Sequence, residues 1–334
     1  MKGHRTTLLF VGMSLVLCLL LLLDMTIGDM EISVGEVFSI LVGGGESDIN
    51  RGIVLNIRLV KAVMAILAGA ALSVSGLQMQ TLFRNPMAGP YTLGVSSGAS
   101  LGVALFILGA PIGITGSAEL STLGIAGAAW IGALATLFAV GFVSQRIKEI
   151  MVILIIGIML SSAVGAVVQI LQYMSHEEAL KNFVVWTMGS LGDVTMERLY
   201  IIAPMILLGL LLAVAVIKPM NMLLLGEGYA RTMGLNITRT RLLILLATTL
   251  LAGTITAFCG PIGFIGMAMP HLSRAIFGNA DHRILLPASA LTGAISLVVC
   301  DIISKMYTLP INALTALLGI PIILWVIVKK KNIV

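Results

Sequence analysis

Charged residues are scarce in this chain. Of its 334 residues only 10% are Asp, Glu, Lys or Arg, whereas 58% are hydrophobic, and the mean hydropathy is +1.08. One globular core could not bury that much apolar surface, but a lipid bilayer accepts it readily. The scarcity of charge therefore excludes an ordinary soluble protein and indicates an all-α polytopic membrane protein.

Cysteine and histidine are also rare, with three and four copies. Cys18, Cys259 and Cys300 lie within or at the edge of apolar runs, where cysteine acts as a small hydrophobic residue. The histidines are scattered and show no His-Glu-x-x-His spacing of the kind that binds zinc. We therefore predict no disulfide, no metal site and no cofactor.

The sequence lacks a Walker motif. That motif places a lysine directly after a glycine so that backbone amides and the ammonium group cradle phosphates, and no lysine follows a glycine in this chain. The chain is therefore not expected to bind ATP by that route or to be an enzyme. If ATP drives its activity, the ATPase is a separate polypeptide.

The apolar residues form ten runs that are long enough, or nearly so, to be membrane spans. They cover roughly residues 6–23, 59–81, 92–109, 122–144, 150–173, 199–217, 241–259, 284–304 and 310–328, with a shorter run near 263–275. With the N-terminus in the cytoplasm, most of the 20 lysines and arginines fall in inner loops. This predicts two cytoplasmic termini and a first span that is retained, not cleaved as a signal peptide. Because the basic residues flank spans, nucleic acid is not an expected partner.

A polar segment, residues 218–241, separates the sixth and seventh spans. Its residues 225–235 predict a short helix stopped by a glycine, followed by a second helix. In a chain otherwise suited to lipid, such a segment indicates a docking surface for a soluble partner. It resembles the coupling segment of ABC importer membrane subunits, which inserts a short helix into a cleft of the ATPase. The resemblance assigns ATPase coupling to Gly226, Glu227, Ala230, Arg231, Gly234 and Leu235, and the alternative is a solvated loop with a capped helix.

Four further motifs resemble the iron-chelate and cobalamin permease family, in the same order and at similar spacing. They are Arg-Asn-Pro-Met-Ala-Gly-Pro-Tyr-Thr-Leu-Gly-Val-Ser-Ser-Gly-Ala at 84–99, Gly-Phe-Ile-Gly at 263–266 with Pro-His-Leu-Ser-Arg at 270–274, Asp-His-Arg-Ile-Leu-Leu-Pro at 281–287, and Pro-Ile at 310–311 leading to Leu-Gly-Ile-Pro at 318–321. Residues 218–235 are especially close to the cobalamin branch of that family.

The resemblance implies a type II ABC importer permease fold, with one transmembrane domain over residues 1–334 and about ten helices. It also implies a homodimer with the translocation path on its twofold axis. Two ATP-binding subunits would lie on the cytoplasmic side, and a periplasmic or lipid-anchored substrate-binding protein would dock outside. The implied location is the bacterial inner membrane, and the implied cargo is siderophore-iron, haem or cobalamin.

Small residues begin the third span. Gly94, Gly98 and Gly102 recur every four residues, and Ser96 and Ser97 lie between them. Such a ridge lets helix backbones approach closely, so ordinary packing is one interpretation. The other is a smooth, weakly polar wall of the translocation path that releases a bulky substrate.

Just before this span, the resemblance places a constriction of the path at Asn85, Pro86 and Met87. The alternative is a simple helix stop at Pro86. The Gly-Pro pair at 89–90 has a counterpart at 260–261 on the predicted outer side, as an inverted-topology repeat would require.

Two other functions are compatible with parts of the sequence. Residues 94–98 satisfy Gly-x-Ser-x-Gly, the nucleophile elbow of serine hydrolases, but the motif opens an apolar helix and no histidine lies nearby in sequence. An ion-coupled secondary transporter would need coupling-ion ligands near the midplane of the membrane, usually acidic residues or broken helices. Asp301 is the main such residue, and it is expected to pair with Lys305 one turn later.

Basic residues on the outer side predict the docking surface for the binding protein. In the family this role follows an Ile-Arg-Leu-Pro-Arg pattern, which here reads Ile-Arg-Leu-Val-Lys at 57–61. The resemblance assigns docking to Arg58 and Lys61, although lysine loses the bidentate geometry of arginine. Lys305 occupies a corresponding basic position, and interfacial snorkelling is the alternative for all three.

Overall fold

The computed structural model describes residues 2–331 apart from 29, 45–46, 93, 110–121 and 148, and this part of the chain is helical, without strands. The helices are α1 (Lys2–Thr26), α2 (Val34–Leu41), α3 (Asp48–Ile53), α4 (Leu59–Phe83), α5 (Val95–Leu108), α6 (Thr122–Arg146), α7 (Ile150–Met174), α8 (Glu177–Thr187), α9 (Met196–Ala215), α10 (Ile217–Leu224), α11 (Glu227–Thr232), α12 (Ile237–Thr248), α13 (Thr254–Cys259), α14 (Ile265–Phe277), α15 (His282–Tyr307) and α16 (Ile311–Lys331).

Each predicted apolar run is a helix in the structure. Among the described residues, seven segments are long and apolar enough to cross a membrane: His4–Thr26, Asp48–Phe83, Leu123–Val143, Met151–Met174, Met196–Ala215, Ile237–Cys259 and His282–Tyr307. The shorter apolar helices α5 and α16 correspond to the runs at 92–109 and 310–328, and α14 corresponds to the short run near 263–275. The prediction of an all-α polytopic membrane protein is confirmed.

Two of the long spans contain a π turn, which accommodates an extra residue within a helix. The turn at Val54–Arg58 joins α3 to α4 in the continuous 36-residue segment Asp48–Phe83. The turn at Thr249–Gly253 joins α12 to α13 and packs against Gly209 of α9. The first turn carries Arg58, one of the predicted docking residues.

Glycines allow the central helices to pack backbone against backbone. Gly69 of α4 faces Gly293 of α15, and Gly76 of α4 faces Gly266 of α14, so closely that a methyl group on Gly69, Gly76 or Gly293 would collide with the backbone of the facing glycine. α14 therefore lies in the core between α4, α15 and α16, although it has only 13 residues.

α5 and α14 are too short to cross the membrane alone. Their 14 and 13 residues extend about 20 Å, against about 30 Å for the hydrocarbon core. Non-helical residues precede both helices, at 84–92 and 260–264, and Pro90 of the first stretch packs against Gly266 just after the second. Within a bilayer, non-helical backbone is tolerated only where protein or a cavity covers it. The two Gly-Pro pairs therefore mark neighbouring breaks in the helical structure.

Candidate functional site

The polar segment 218–241 folds as two short helices and a turn. α10 ends at Leu224, Gly226 with φ 104° separates the two helices, and α11 begins at Glu227. Gly234 with φ 84° ends this unit, because its positive φ suits glycine at the end of a helix. The prediction of a short helix stopped by Gly234 and followed by a second helix is confirmed.

The side chains of this segment divide into an inner and an outer face. Ala230 is fully buried, and Nη2 of Arg241 lies 2.7 Å from Oε1 of Glu227, so two of the three predicted coupling residues on α11 face the protein. Arg231 and Gly234 are exposed, and Leu235 is half-buried. A large residue at Ala230 would therefore disturb the packing of α11 before it affected any partner.

Residues 218–241, the predicted coupling segment, expose apolar side chains. Leu225, Tyr229 and Met233 are spaced four residues apart and are 63%, 58% and 52% exposed. Tyr229 lies on α11 and Met233 caps its C-terminal end, so these two share one face, whereas Leu225 lies before Gly226, at the end of α10. Exposed apolar side chains beyond the predicted spans have no lipid to cover them. The sequence reasoning missed these three side chains because it followed the glutamate, alanine and glycine of the motif.

Asn221 ties α10 to the start of α15. Its amide nitrogen donates to Oδ1 of Asp281 at 2.6 Å, and its amide oxygen accepts from the backbone N–H of His282 at 2.9 Å. Asp281 also accepts from the backbone N–H of Arg283, and this hydrogen bond, followed by that of Asn221, lowers the pKa of the Asp281 carboxyl. Nε2 of His282 lies 2.8 Å from Oγ1 of Thr81 near the end of α4. The coupling segment is thus connected to two long helices.

The predicted gate residues lie in the non-helical segment after α4. Arg84 ends the helix in a left-handed conformation with φ 49°, and Oδ1 of Asn85 accepts from the backbone N–H of Met87 at 2.9 Å. Pro86 and Met87 are exposed, and the carbonyl oxygen of Pro86 lies 2.7 Å from Nε2 of His271. Arg84 also lies beside Gly226, so the gate segment and the coupling segment are neighbours.

The glycine ridge of α5 packs against α6. A Cβ atom on Gly98 would collide with Gly132 and Thr136, and Gly94 with φ 79° is buried at the start of the helix. The structure therefore favours the packing interpretation for these glycines. Ser96 and Ser97 are half-buried, and their place on the translocation path stays a prediction.

The structure gives no support to the serine hydrolase. Residues 94–98 open a helix that follows a non-helical segment, where a nucleophile elbow would need a strand before the turn. The two core histidines have other partners, since His271 contacts Pro86 and His282 contacts Asn221 and Thr81.

Arg58 lies inside the protein, although it was predicted to face a partner. Its guanidinium donates to the carbonyl oxygens of Met25 at 2.8 Å and Thr26 at 2.9 Å and to that of Met30, and the residue is 5% exposed. Carbonyl groups at the end of a helix need such donors. Arg58 therefore caps α1 and is poorly placed to meet a partner through its charged group.

Lys305 is also engaged within the chain. Its Nζ lies 2.7 Å from Oδ1 of Asp24 and 2.8 Å from Oδ2 of Asp301, which confirms the predicted pair with Asp301 and adds a carboxylate from α1. Lys61 lies 3.3 Å from Oδ1 of Asp301. The acidic residues that a secondary transporter would use are thus paired with lysines.

The three predicted docking residues do lie together. They line one cavity of about 440 Å³ at the outer ends of α1, α4 and α15, together with Ile27, Gly28, Met30, Ile53, Ile57, Ser304 and Thr308. The side chain of Lys61 is 22% exposed and that of Lys305 is 8% exposed. Lys61 is therefore the more accessible of the two lysines.

Comparisons with known proteins agree over nearly the whole chain. Residues 15–329 match the sequence profile of the FecCD transport family. The hemin transport system permease protein of Yersinia pestis is 36% identical, with 99% of each chain covered. The vitamin B12 import system permease protein of Escherichia coli is 35% identical over 96% of this chain and 94% of its own.

The fold has a close counterpart among solved structures. A structure described as an inward-facing conformation of a metal-chelate type ABC transporter superposes with a TM-score of 0.85 at 29% identity, covering 96% of this chain and 99% of its own.

Proposed function

The chain belongs to the FecCD transport family, and from this premise we propose that it is the membrane-spanning permease subunit of a binding-protein-dependent ABC importer. It moves a metal chelate inward across the bacterial inner membrane. Separate subunits hydrolyse ATP, and their motion reaches the permease through the coupling segment. The chain itself is a transporter subunit and catalyses no covalent step.

The observation that carries the proposal is the geometry of the coupling segment. Tyr229 on α11 is exposed, as are Leu225 before the helix and Met233 directly after it, while the Glu227–Arg241 ion pair and buried Ala230 fix the inner face of α11. Exposed apolar side chains around a helix whose inner face is held in place are suited to a cleft in a soluble partner. Aromatic and methionine side chains are enriched in interfaces, and a few buried side chains give most of the binding energy. A solvated loop would have no use for such a face.

Two copies of the chain would enclose the path. A twofold dimer presents each surface twice, which matches two ATP-binding subunits inside and a two-lobed binding protein outside. Asn85, Pro86 and Met87 would form the inner gate, and Ser96 and Ser97 the weakly polar wall above it. The hemin and vitamin B12 permeases among the relatives support a cargo in which an organic macrocycle holds the metal.

Outside, we assign docking of the binding protein chiefly to Lys61. It is the most exposed cation of the outer cavity, whereas Arg58 and Lys305 stabilise the packing of the helices around that cavity. A rim charge of this kind guides association more than it adds affinity.

A photocrosslinking amino acid at position 229, introduced in living cells, tests the coupling assignment. We expect an adduct with an ABC ATP-binding subunit, identified by mass spectrometry from its Walker and signature peptides. The control position is Tyr200, which is 72% exposed on α9 and is predicted to lie toward the opposite side of the membrane. Equal yields of the ATPase adduct at both positions, or none at 229, would overturn the assignment.

A further inference from the structure

The segment that contains the proposed gate is hydrogen-bonded to α14. His271 lies in the middle of that helix and is 7% exposed, with Nε2 only 2.7 Å from the carbonyl oxygen of Pro86. A carbonyl oxygen can only accept a hydrogen bond. Nε2 of His271 must therefore carry the hydrogen and donate it to Pro86.

The imidazole ring is in turn oriented by α14 and α4. With the hydrogen on Nε2, Nδ1 of the neutral ring is an acceptor, and Nη1 of Arg274 lies 3.5 Å from it. The same Nη1 donates to Oε1 of Gln80 at 2.7 Å, and Nε2 of Gln80 donates to the carbonyl oxygen of Met267 at 2.9 Å. Gln80 thus bridges α4 and α14 beside the ring.

Close packing joins the same two segments a few residues further on. A Cβ atom on Gly89 would lie 2.7 Å from Cγ of Met267, and one on Gly266 would lie 2.6 Å from Cδ of Pro90. The segment 86–90 is therefore in contact with one face of α14 from residue 266 to residue 271.

The other end of α14 lies near the coupling segment. The helix ends before Gly278, and Asp281, three residues later, is hydrogen-bonded to Asn221 of α10. One helix therefore has the gate segment against its first half and a hydrogen-bonded link to the coupling segment just beyond its end.

We propose that His271 is a positioning residue of the inner gate, which makes Pro86 and its neighbours follow the movement of α14. The proposal rests on the proposed transport function, because residues 85–87 are a gate only if the chain transports a cargo. While the hydrogen bond holds, a displacement of α14 carries the Pro86 carbonyl with it. Without it, the exposed tip of the segment at Pro86 and Met87 is no longer anchored to the helix.

Three substitutions separate this role from simple core packing. In His271→Gln the amide nitrogen takes the place of Nε2 and can still donate to Pro86. In His271→Asn the amide is polar but corresponds in reach to Nδ1, so it falls short of Pro86, and His271→Ala removes both nitrogens. A buried neutral hydrogen bond of this kind shifts a two-state equilibrium by about 2- to 12-fold. We expect the ratio of anchored to released gate to change by that factor.

The experiment uses the whole importer in lipid nanodiscs, with a spin label at Met87→Cys in each copy and exposed Cys18 replaced by serine. Pulsed electron paramagnetic resonance gives the distance between the two labels with and without ATP. Leu272→Ala, a half-buried neighbour on the same helix, is the matched control for loss of packing volume. Cargo uptake and ATP hydrolysis are measured on the unlabelled variants.

We expect one ATP-dependent distance distribution in the parent protein, the control and His271→Gln. In His271→Asn and His271→Ala it should broaden and change less on addition of ATP, with uptake reduced about 2- to 12-fold and ATP hydrolysis maintained. Unchanged distances in His271→Asn, or a loss in His271→Gln equal to that in His271→Ala, would overturn the proposal. An absence of uptake by the parent importer would contradict the proposed function instead, and the label distances would still decide the role of His271.

Discussion

Replacing Lys305 with methionine tests whether this cation of the outer cavity stabilises the fold or docks the binding protein. Nζ of Lys305 lies 2.7 Å from Asp24 and 2.8 Å from Asp301, and both aspartates are fully buried. Methionine keeps most of the apolar stem but removes the ammonium group. Two buried carboxylates thereby lose the cation that they share.

The contacts of Lys305 determine how much stability the substitution should remove. Removing one partner of a buried ion pair costs about 3–5 kcal/mol, because the remaining charge stays buried without compensation. Lys61, at 3.3 Å, still partly compensates Asp301, so we expect a loss of about 3 kcal/mol, at the lower end of that range. The matched control is Lys61→Met, which removes a partly exposed partner and should cost only about 0.2–1 kcal/mol.

Unfolding of the purified permease in mixed micelles, followed by tryptophan fluorescence, measures both losses. Stimulation of ATP hydrolysis by the binding protein is measured on the same variants assembled with their ATP-binding subunits. We expect Lys61→Glu to weaken stimulation at low salt without a large loss of stability. If Lys305→Met is as stable as the parent protein but cannot be stimulated, then Lys305 is a docking residue and the reasoning from burial is wrong.

Three further outcomes are expected. Hydrogen bonds lower the pKa of the Asp281 carboxyl in the folded protein. Its contribution to stability is therefore present above the ordinary carboxyl pKa of about 3.9 and is lost as pH falls through the lower pKa of the folded state. Thermal unfolding should distinguish Asp281→Ala from the parent protein at pH 7 but not in strong acid. Ser96→Ala keeps a small side chain on the proposed wall and removes one hydroxyl, so uptake should persist, whereas a hydrolase would lose its activity. Cysteine labelling should reach position 229 only from the cytoplasm and position 47 only from outside, and access to both from one side would contradict the topology.

Hydropathy predicted the spans because lipid imposes length and apolarity on each of them independently of its neighbours. The coupling helix was predictable for the opposite reason, since Gly226 and Gly234 interrupt a polar segment at positions where only glycine adopts the required φ comfortably. Neither inference depends on contacts between distant parts of the chain.

The predictions that differ from the structure concern the direction in which side chains point. Arg58 was expected at the surface, but the π turn before α4 directs it to the carbonyl end of α1. The partner of Lys305 on α1, Asp24, is 281 residues away and carries no local signal. The glycine ridge at 94–102 had two interpretations because small residues suit both a pore wall and a helix contact, and only the position of α6 favours packing.

Accumulation of cargo in proteoliposomes tests the central claim most directly. The permease is reconstituted with its ATP-binding subunits, and the metal chelate that its binding protein retains on purification is supplied with that protein. We predict accumulation that requires ATP, and its loss in Tyr229→Asp with Met233→Asp, where the permease remains dimeric but no longer retains the ATPase. Accumulation driven by an ion gradient in vesicles that lack the ATP-binding subunits would contradict the account.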